Sequence, residues 1–558
     1  MRLPLVLALA LLFPCTNFAE EKRAPLRVST LATNLSINAQ EPKFRFSWKI
    51  KAEERAQIQT HYQILLAQKK EELAQGKNLI WDSGNIQSGQ SIYVPYTGKD
   101  LDPNKEYHWK VRLGNSDVKA GPWSAIAKFS PSALSQKKPL PIEKKQLSSF
   151  WSSNKDLNKT YAEAIASQKN TLTTPPNFPP KEESWGAQLQ LSARGNAFQF
   201  EQTAYYASWL NKFLSQPSPN GFFPATESKK FSTPRVGHSS AGLVIPFAIW
   251  HLTGDKSWPK QVLEPAATHL SAIQRNDPQF KGIAYGELSQ DQGNRKDPTS
   301  PDFLAMCDFA ICCRLMFEMA AANGHMPYVI QHKEWFNRLH QNFVNLYLNK
   351  DNSLSETSQT AQILALRSGL LPDAAKQPIA NELANQLKRE GLRAGIFGQA
   401  FILNVLSWSG HHEEAITLAQ SFASETYEPT AVSLAAASEW MVTVLAGITH
   451  QTPGFKTSKI SPFIPENGSI TEVKAHHDTP YGRIAIHWKT SENELTATIT
   501  IPPNTSSIVL LPGDEKTLVL EQGKPLEQTE SCQIVARTNG KIQIFLQSGT
   551  FQFKIKED

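Results

Sequence analysis

The hydrophobic period of this chain changes twice, and that change limits its fold more than any other feature. In Phe44-Arg45-Phe46-Ser47-Trp48-Lys49-Ile50 apolar and polar residues alternate, and Tyr107, Trp109, Val111 and Leu113 alternate with His108, Lys110 and Arg112. Period two buries one face and wets the other, as in an antiparallel sheet. Turn signals at Asp82-Ser83-Gly84, Asp102-Pro103-Asn104 and Ala120-Gly121-Pro122 separate these runs, so a small β-sandwich is expected over 24–132. The lysine- and proline-bearing stretch SQKKPLPIEKKQ has no periodicity and reads as a linker, 133–149.

From 150 to 452 the pattern is helical. The run Ala241–Leu252 stops at Gly254, Phe303–Ala322 at Gly324, Ile379–Glu390 at Gly391 and Phe401–Trp408 at Gly410. A glycine just past the last periodic residue is a helix C-terminal cap. About a dozen such helices with short joins suit an (α/α) toroid better than a four-helix bundle, although periodicity alone does not choose between them. Beyond Gly454 alternation returns in Ile484, Ile486, Trp488, in Leu495, Ala497, Ile499, Ile501, and in Phe551, Phe553, Ile555. A second β-sandwich is expected over 453–558.

The 558 residues, 40% hydrophobic and 19% charged, are enough for three or four domains with large cores. The net charge of +6 comes from scattered lysines, so nucleic acid is not an expected partner. Arg2 followed by the apolar run Leu3–Phe13, with Asn17-Phe18-Ala19 as a cleavage site, reads as a signal peptide over 1–19 and predicts a periplasmic or extracellular protein. Cys15 offers a lipoprotein alternative, to which Pro14 is a poor fit. No other segment reads as an integral membrane span. Cys307, Cys312, Cys313 and Cys532 lack metal-ligand spacing and read as small buried residues. The pairs His411-His412 and His476-His477 diverge from each other and make no metal site by themselves. No cofactor or metal motif is found.

The chain resembles the bacterial α-L-rhamnosidases of glycoside hydrolase family 78. PKFRFSW, LIWDSGNIQSGQSIYVPYTGKDL and YHWKVRL resemble that family's opening fibronectin-like domain. TPYGRIAIHW and ITIPPNTSSIVLLPG are similar to its C-terminal β-domain, and AGLVIPFAIWHLTGD, AYGEL and GIFGQAFILNVLSWSG to pieces of its catalytic toroid. The resemblance implies a multidomain α and β protein: an (α/α)6 toroid flanked by a fibronectin-III-like β-sandwich and a C-terminal β-sandwich. Family members are commonly longer, with further β-domains where this chain has only the linker.

Inverting glycoside cleavage needs one carboxyl group to protonate the leaving oxygen and another to activate water. Asn177-Phe178-Pro179-Pro180-Lys181-Glu182 resembles the family's D-C-P-Q-R-E and implies Glu182 as general acid, with Asn177 in place of an aspartate. Acids at a helix N-terminus are also favoured by the helix dipole without any catalytic role. Trp185-Gly186-Ala187-Gln188 resembles G-W-x-G-D with a deletion, which leaves Trp185 to stack on a sugar and removes the aspartate. Gly237-His238-Ser239-Ser240-Ala241 resembles G-W-G-D-A and implies that His238 lines the pocket; a helix-start histidine is the alternative. Tyr285-Gly286-Glu287 resembles Y-G-D and implies Glu287 as a sugar-binding carboxylate. For the general base the family's W-E-R-W segment has no counterpart: Ser424–Met441 runs straight to Ser438-Glu439-Trp440, which matches a later G-E-W helix. Glu425 and Glu428 stand nearby and read better as solvated helix-end residues. Two functions are therefore expected to compete. One is an exported hydrolase that releases terminal α-L-rhamnose from a glycan or glycoside by inversion. The other is a non-catalytic carbohydrate-binding protein on the same fold.

Overall fold

The computed structural model describes residues 24–35, 44–132, 145–171, 185–216, 219–224, 234–285, 298–425, 427–492, 494–529 and 532–556. The N-terminal strands are β1 (Arg27–Leu35), β2 (Phe44–Lys51), β3 (His61–Ala67), β4 (Trp81–Asp82), β5 (Ile86–Gln87), β6 (Val94–Pro95), β7 (Tyr107–Gly114) and β8 (Ala127–Phe129), with one short helix, α1 (Lys70–Gln75). They form two sheets, β1-β2-β6 and β4-β3-β7-β8 with β5 beside β3. The alternating positions read from the sequence face one another: Phe46, Trp48, Trp109 and Val111 are all buried. Phe46 lies 4.6 Å from Trp109, ring to ring across the sandwich.

The strand β9 (Ser148–Ser152) follows, and then the helices. They are α2 (Lys155–Thr171), α3 (Trp185–Gln199), α4 (Thr203–Leu214), α5 (Ala241–Thr253), α6 (Ser257–Asn276), α7 (Pro301–Ala322) and α8 (Met326–Tyr347). After these come α9 (Gln359–Ser368), α10 (Asp373–Glu390), α11 (Ile396–Gln399), α12 (Ile402–Trp408), α13 (His412–Ser421) and α14 (Ala431–Trp440). In the first of two concentric layers α3 packs on α5, α5 on α7, α7 on α9, α9 on α11 and α12, and α14 closes the circle onto α3. Around this ring stand α2, α4, α6, α8, α10 and α13. The toroid expected from the helical period is thus the architecture present. Closure depends on Gly195 of α3: a Cβ there would lie 2.5 Å from the carbonyl oxygen of Ala435, so only glycine lets α3 and α14 approach this closely.

Capping sets the direction of the inner helices. Ser300 accepts from the Phe303 N–H with Pro301 in the first turn, Ser358 accepts from Ala361 N–H, and Thr430 accepts from Ser433 N–H. Such caps satisfy amide groups that the first turn leaves unpaired. The inner helices start at one end of the ring, which we call the mouth. At the far end of α5, Gly254 adopts φ 74° and its N–H bonds back to Trp250, a left-handed cap that other residues adopt only under strain.

The remaining strands are β10 (Ile448–His450), β11 (Thr457–Ile460), β12 (Glu472–Asp478), β13 (Arg483–Ser491), β14 (Glu494–Pro512), β15 (Leu518–Glu521), β16 (Lys524–Pro525), β17 (Cys532–Thr538) and β18 (Lys541–Lys556). They form a sheet in the order β16-β15-β18-β14-β13-β12-β9, with β17 beside β18 and β10-β11 beside β14. The register of β14 against β18 shifts between Ile501 and Ser506, at Pro502-Pro503, where proline cannot supply a ladder hydrogen bond. The strand β9 pairs with β12 from Ser148↔His477 to Ser152↔Val473. Residues just ahead of the first toroid helix therefore belong to the C-terminal sheet, a pairing that five residues without a clear alternation do not announce.

The helical ring and the C-terminal sheet share one continuous apolar core, while the N-terminal sandwich has its own. The sandwich is attached by polar contacts instead. Arg45 forms a two-pronged ion pair with Asp255 at 2.5 and 2.8 Å. Arg55 pairs with Glu521 at 2.7 Å, and the Asn504 amide donates to Gly89 O at 2.9 Å. None of the helices among the described residues is long and apolar enough to cross a membrane.

Candidate active site

The mouth of the ring opens into a hollow lined by α3, α5, α7, α9 and α11. It is narrow, about 50 Å³, and Leu191, Val244, Leu304 and Phe397 supply much of its wall. Four polar residues interrupt that wall: Gln190, Ser240, Asp308 and Arg367.

Asp308 stands two turns into α7. Its Oδ2 accepts from the Gly237 N–H at 3.3 Å, and the hydroxyl groups of Ser240 and Tyr285 favour its charged form. Burial raises its pKa to about 6, against the opposing pull of these donors. A carboxyl group poised there exchanges a proton near neutral pH, the property required of a general acid or base. The Gln190 amide ties the same wall together: its Nε2 donates to the Gly237 carbonyl, and its Oε1 accepts from Ser240 Oγ at 3.1 Å. Gly237 is held at φ 71°, and a Cβ on it would meet the Phe397 ring at 2.7 Å. Only glycine fits this turn, which aims an N–H at the carboxylate.

Arg367 lies with its guanidinium 3.5 Å from the centre of the Phe401 ring. Burial first, and then the charges of Arg314 and Arg194, lower its pKa to about 9. Its Nε is buried with no hydrogen-bond partner among the described residues. Near the far end of the inner helices, Arg194 Nε meets Glu439 Oε1 at 2.5 Å. Glu439 is thus already partnered. Trp440, next to it, is buried with its indole N–H on Ser407 Oγ at 2.9 Å.

Of the residues singled out from the sequence, Asn177, Glu182 and Glu287 lie outside the described residues. Trp185 begins α3 at the mouth. His238 sits in the turn that carries Gly237 and Ser240, but is only 4% exposed and packs against Phe397 at 6.2 Å between ring centres. Its neighbours line the hollow and it does not. Burial and Arg235 lower its pKa to about 4, so it is neutral at pH 7. Glu425 and Glu428 are exposed on the connection into α14. Sequence reasoning missed Asp308 and Arg367. The signal for Asp308 was present: it is the one acid in the apolar run Phe303–Phe317, and a lone carboxylate there must be buried or face a cavity. Arg367 carried no such signal, because a basic residue in the last turn of a helix is ordinary. No group of three or more metal-ligating side chains occurs among the described residues.

Comparison with known proteins places this geometry. Residues 145–430 match the bacterial alpha-L-rhamnosidase 6 hairpin glycosidase domain. Residues 24–135 match the Rha78A-like N-terminal immunoglobulin domain, and 447–525 the bacterial alpha-L-rhamnosidase C-terminal domain. An alpha-L-rhamnosidase of Formosa agariphila is 22% identical over 451 residues, 73% of this chain and 48% of that protein. One of Streptomyces avermitilis is 24% identical over 397 residues, 64% of this chain and 38% of that protein. The chain thus spans about half or less of the length of these curated relatives. Among solved structures, the alpha-L-rhamnosidase from Dictyoglumus thermophilum superposes with a TM-score of 0.82 at 14% identity, over 95% of this chain and 99% of that one. The Streptomyces avermitilis enzyme complexed with L-rhamnose superposes with a TM-score of 0.65 at 17% identity, over 96% of this chain and 54% of that one. With its helical ring, opening sandwich and closing β-domain all matched, this chain belongs to the bacterial alpha-L-rhamnosidase family of six-hairpin glycosidases.

Proposed function

We propose that this chain hydrolyses terminal α-L-rhamnosides with inversion, binding the rhamnose at the mouth of the helical ring. The observation that carries the reading is Asp308: a carboxyl group with a pKa of about 6 that lines the same hollow as Arg367. At neutral pH it is mostly ionised and accepts a proton from the attacking water, while the polar side chains of Arg367 and Gln190 in the same hollow are placed to meet sugar hydroxyls. Glu182, in the stretch that precedes α3, is the proposed proton donor to the leaving oxygen. The Dictyoglumus thermophilum protein named above is covered almost end to end, so a chain of this compact layout has a rhamnosidase by name as its structural counterpart.

One observation favours the second reading, sugar binding without chemistry. Among the described residues lining the hollow, Asp308 is the only carboxylate, and Glu439 is already held by Arg194. Release of p-nitrophenol from its α-L-rhamnoside separates the two. Hydrolysis is expected in the wild type, with Asp308→Asn and Glu182→Gln each slower by about 10²–10⁴-fold, and NMR of the first-formed sugar is expected to show the inverted anomer. If wild type and both variants are equally inert while L-rhamnose still raises the melting temperature, the protein binds and does not cleave. If neither turnover nor a thermal shift is seen, both readings fail.

A further inference from the structure

A second cleft lies elsewhere. A groove of about 110 Å³ runs down the outside of α3 between the outer helices α2 and α4, bordered by the first turn of α14. Gln188, Ser192 and Asn196, four residues apart, share the face of α3 that forms its floor. They span about 12 Å at the helical rise. Gln190 of the same helix lines the central hollow, and the two cavities have no lining residue in common. Gln168 of α2 forms one wall, and Gln202 and Tyr205 the other.

We propose that this groove binds an uncharged saccharide, separately from the central hollow. Among the described residues no aspartate, glutamate, lysine or arginine lines it, whereas amides, hydroxyls and two phenols do. A charged ligand buried there would lack a counter-charge, which is costly. Side-chain amides both donate and accept, as a sugar hydroxyl does, and a tyrosine ring covers the C–H face of a pyranose. Gln202 makes the need for a ligand specific. It is 3% exposed and its Nε2 reaches only the Asn196 carbonyl, at 3.4 Å. Its Oε1 is buried with no hydrogen-bond partner among the described residues. An unmet buried acceptor costs about 1–3 kcal/mol, and a sugar hydroxyl in the groove meets it once the Gln202 amide turns outward.

The test measures hydrogen exchange and calorimetric binding of the full chain with L-rhamnose and cellobiose, and with glucuronic acid as the charged control. The neutral sugars are expected to protect amides in 202–206, which border the groove and not the hollow, and glucuronic acid to leave them unchanged. Gln202→Leu replaces the orphaned acceptor with an apolar group of similar size, so it folds with an unchanged or raised melting temperature while neutral-sugar affinity falls at least about tenfold. Gln188→Leu, on the exposed floor, gives the same loss without touching the core. No protection at 202–206, protection by glucuronic acid equal to that by the neutral sugars, or wild-type affinity in both variants would overturn the proposal. Hydrolysis of the p-nitrophenyl rhamnoside, read in parallel, reports on the hollow alone and keeps failure of the groove distinct from failure of the catalytic reading.

Discussion

Acid should unfold this protein through its buried histidines, and His269 gives the sharpest measure. It lies on α6 with no exposed surface, stacked 4.7 Å from the Phe223 ring. Its Nδ1 accepts the Phe223 backbone N–H at 3.0 Å, which leaves the proton on Nε2. A second proton would have to enter at Nδ1, facing an N–H, in a fully buried site. Burial accordingly lowers the pKa to about 3. Because this value is depressed, the unfolded chain binds more protons below pH 6.5, so the stability is full above that pH and is lost as the pH falls towards 3. Between pH 6.5 and pH 5 the loss from this one residue is about 2 kcal/mol, 1.5 units at 1.36 kcal/mol each. The assay is urea unfolding at pH 7, 6 and 5 for the wild type and His269→Gln, which cannot titrate. The variant starts less stable at pH 7, because its amide packs less well against Phe223, but is expected to lose about 2 kcal/mol less than the wild type by pH 5. Parallel pH dependences for the two proteins would refute the reasoning. His332 and His477 are equally enclosed, with values near 4 and 3, and should behave in the same way.

The remaining predictions concern attachment, the hollow and the thiols. Arg45→Ala leaves the Asp255 carboxylate buried without its partner and should cost about 3–5 kcal/mol by denaturant unfolding, whereas Arg45→Met with Asp255→Leu should recover most of that. Gly237→Ala forces a positive φ worth about 1–2 kcal/mol on a residue with a Cβ and drives that Cβ into Phe397, so both thermal stability and rhamnoside turnover should fall. Ser240→Ala removes a hydroxyl that favours the charged form of Asp308 and raises its pKa further, so the acid limb of the rate profile should move to higher pH; an unmoved limb would remove Asp308 from the chemistry. Cys307, Cys312 and Cys313 are fully buried and burial pushes their pKa values up, so a thiol reagent at neutral pH should label them only after unfolding.

Much of the architecture was legible in the sequence because hydrophobic period is a local property. The alternation at Phe46, Trp48, Ile50 and at Ile484, Ile486, Trp488 became the buried faces of two β-domains, and the glycine-stopped apolar runs became the helices of the ring. Caps such as Ser300-Pro301 and Gly254 were equally local, since each acts on its own turn. Period could not show that the helices close into a circle, because closure rests on Gly195 meeting Ala435, residues 240 positions apart in the sequence.

The site divides in the same way. Sequence by itself determined the family's signature turns, and so pointed at the mouth through Trp185 and the Gly237–Ala241 stretch. Only the tertiary structure decided which side chains share the hollow. It turned His238 into the wall and brought Asp308 of one inner helix beside Ser240 in the turn that precedes another. It also set Arg367 against Phe401. The physical reason is that ionisation and hydrogen-bond need depend on what surrounds a group in space. The same aspartate is an ordinary surface acid in a solvated helix and a group titrating near pH 6 inside a closed ring.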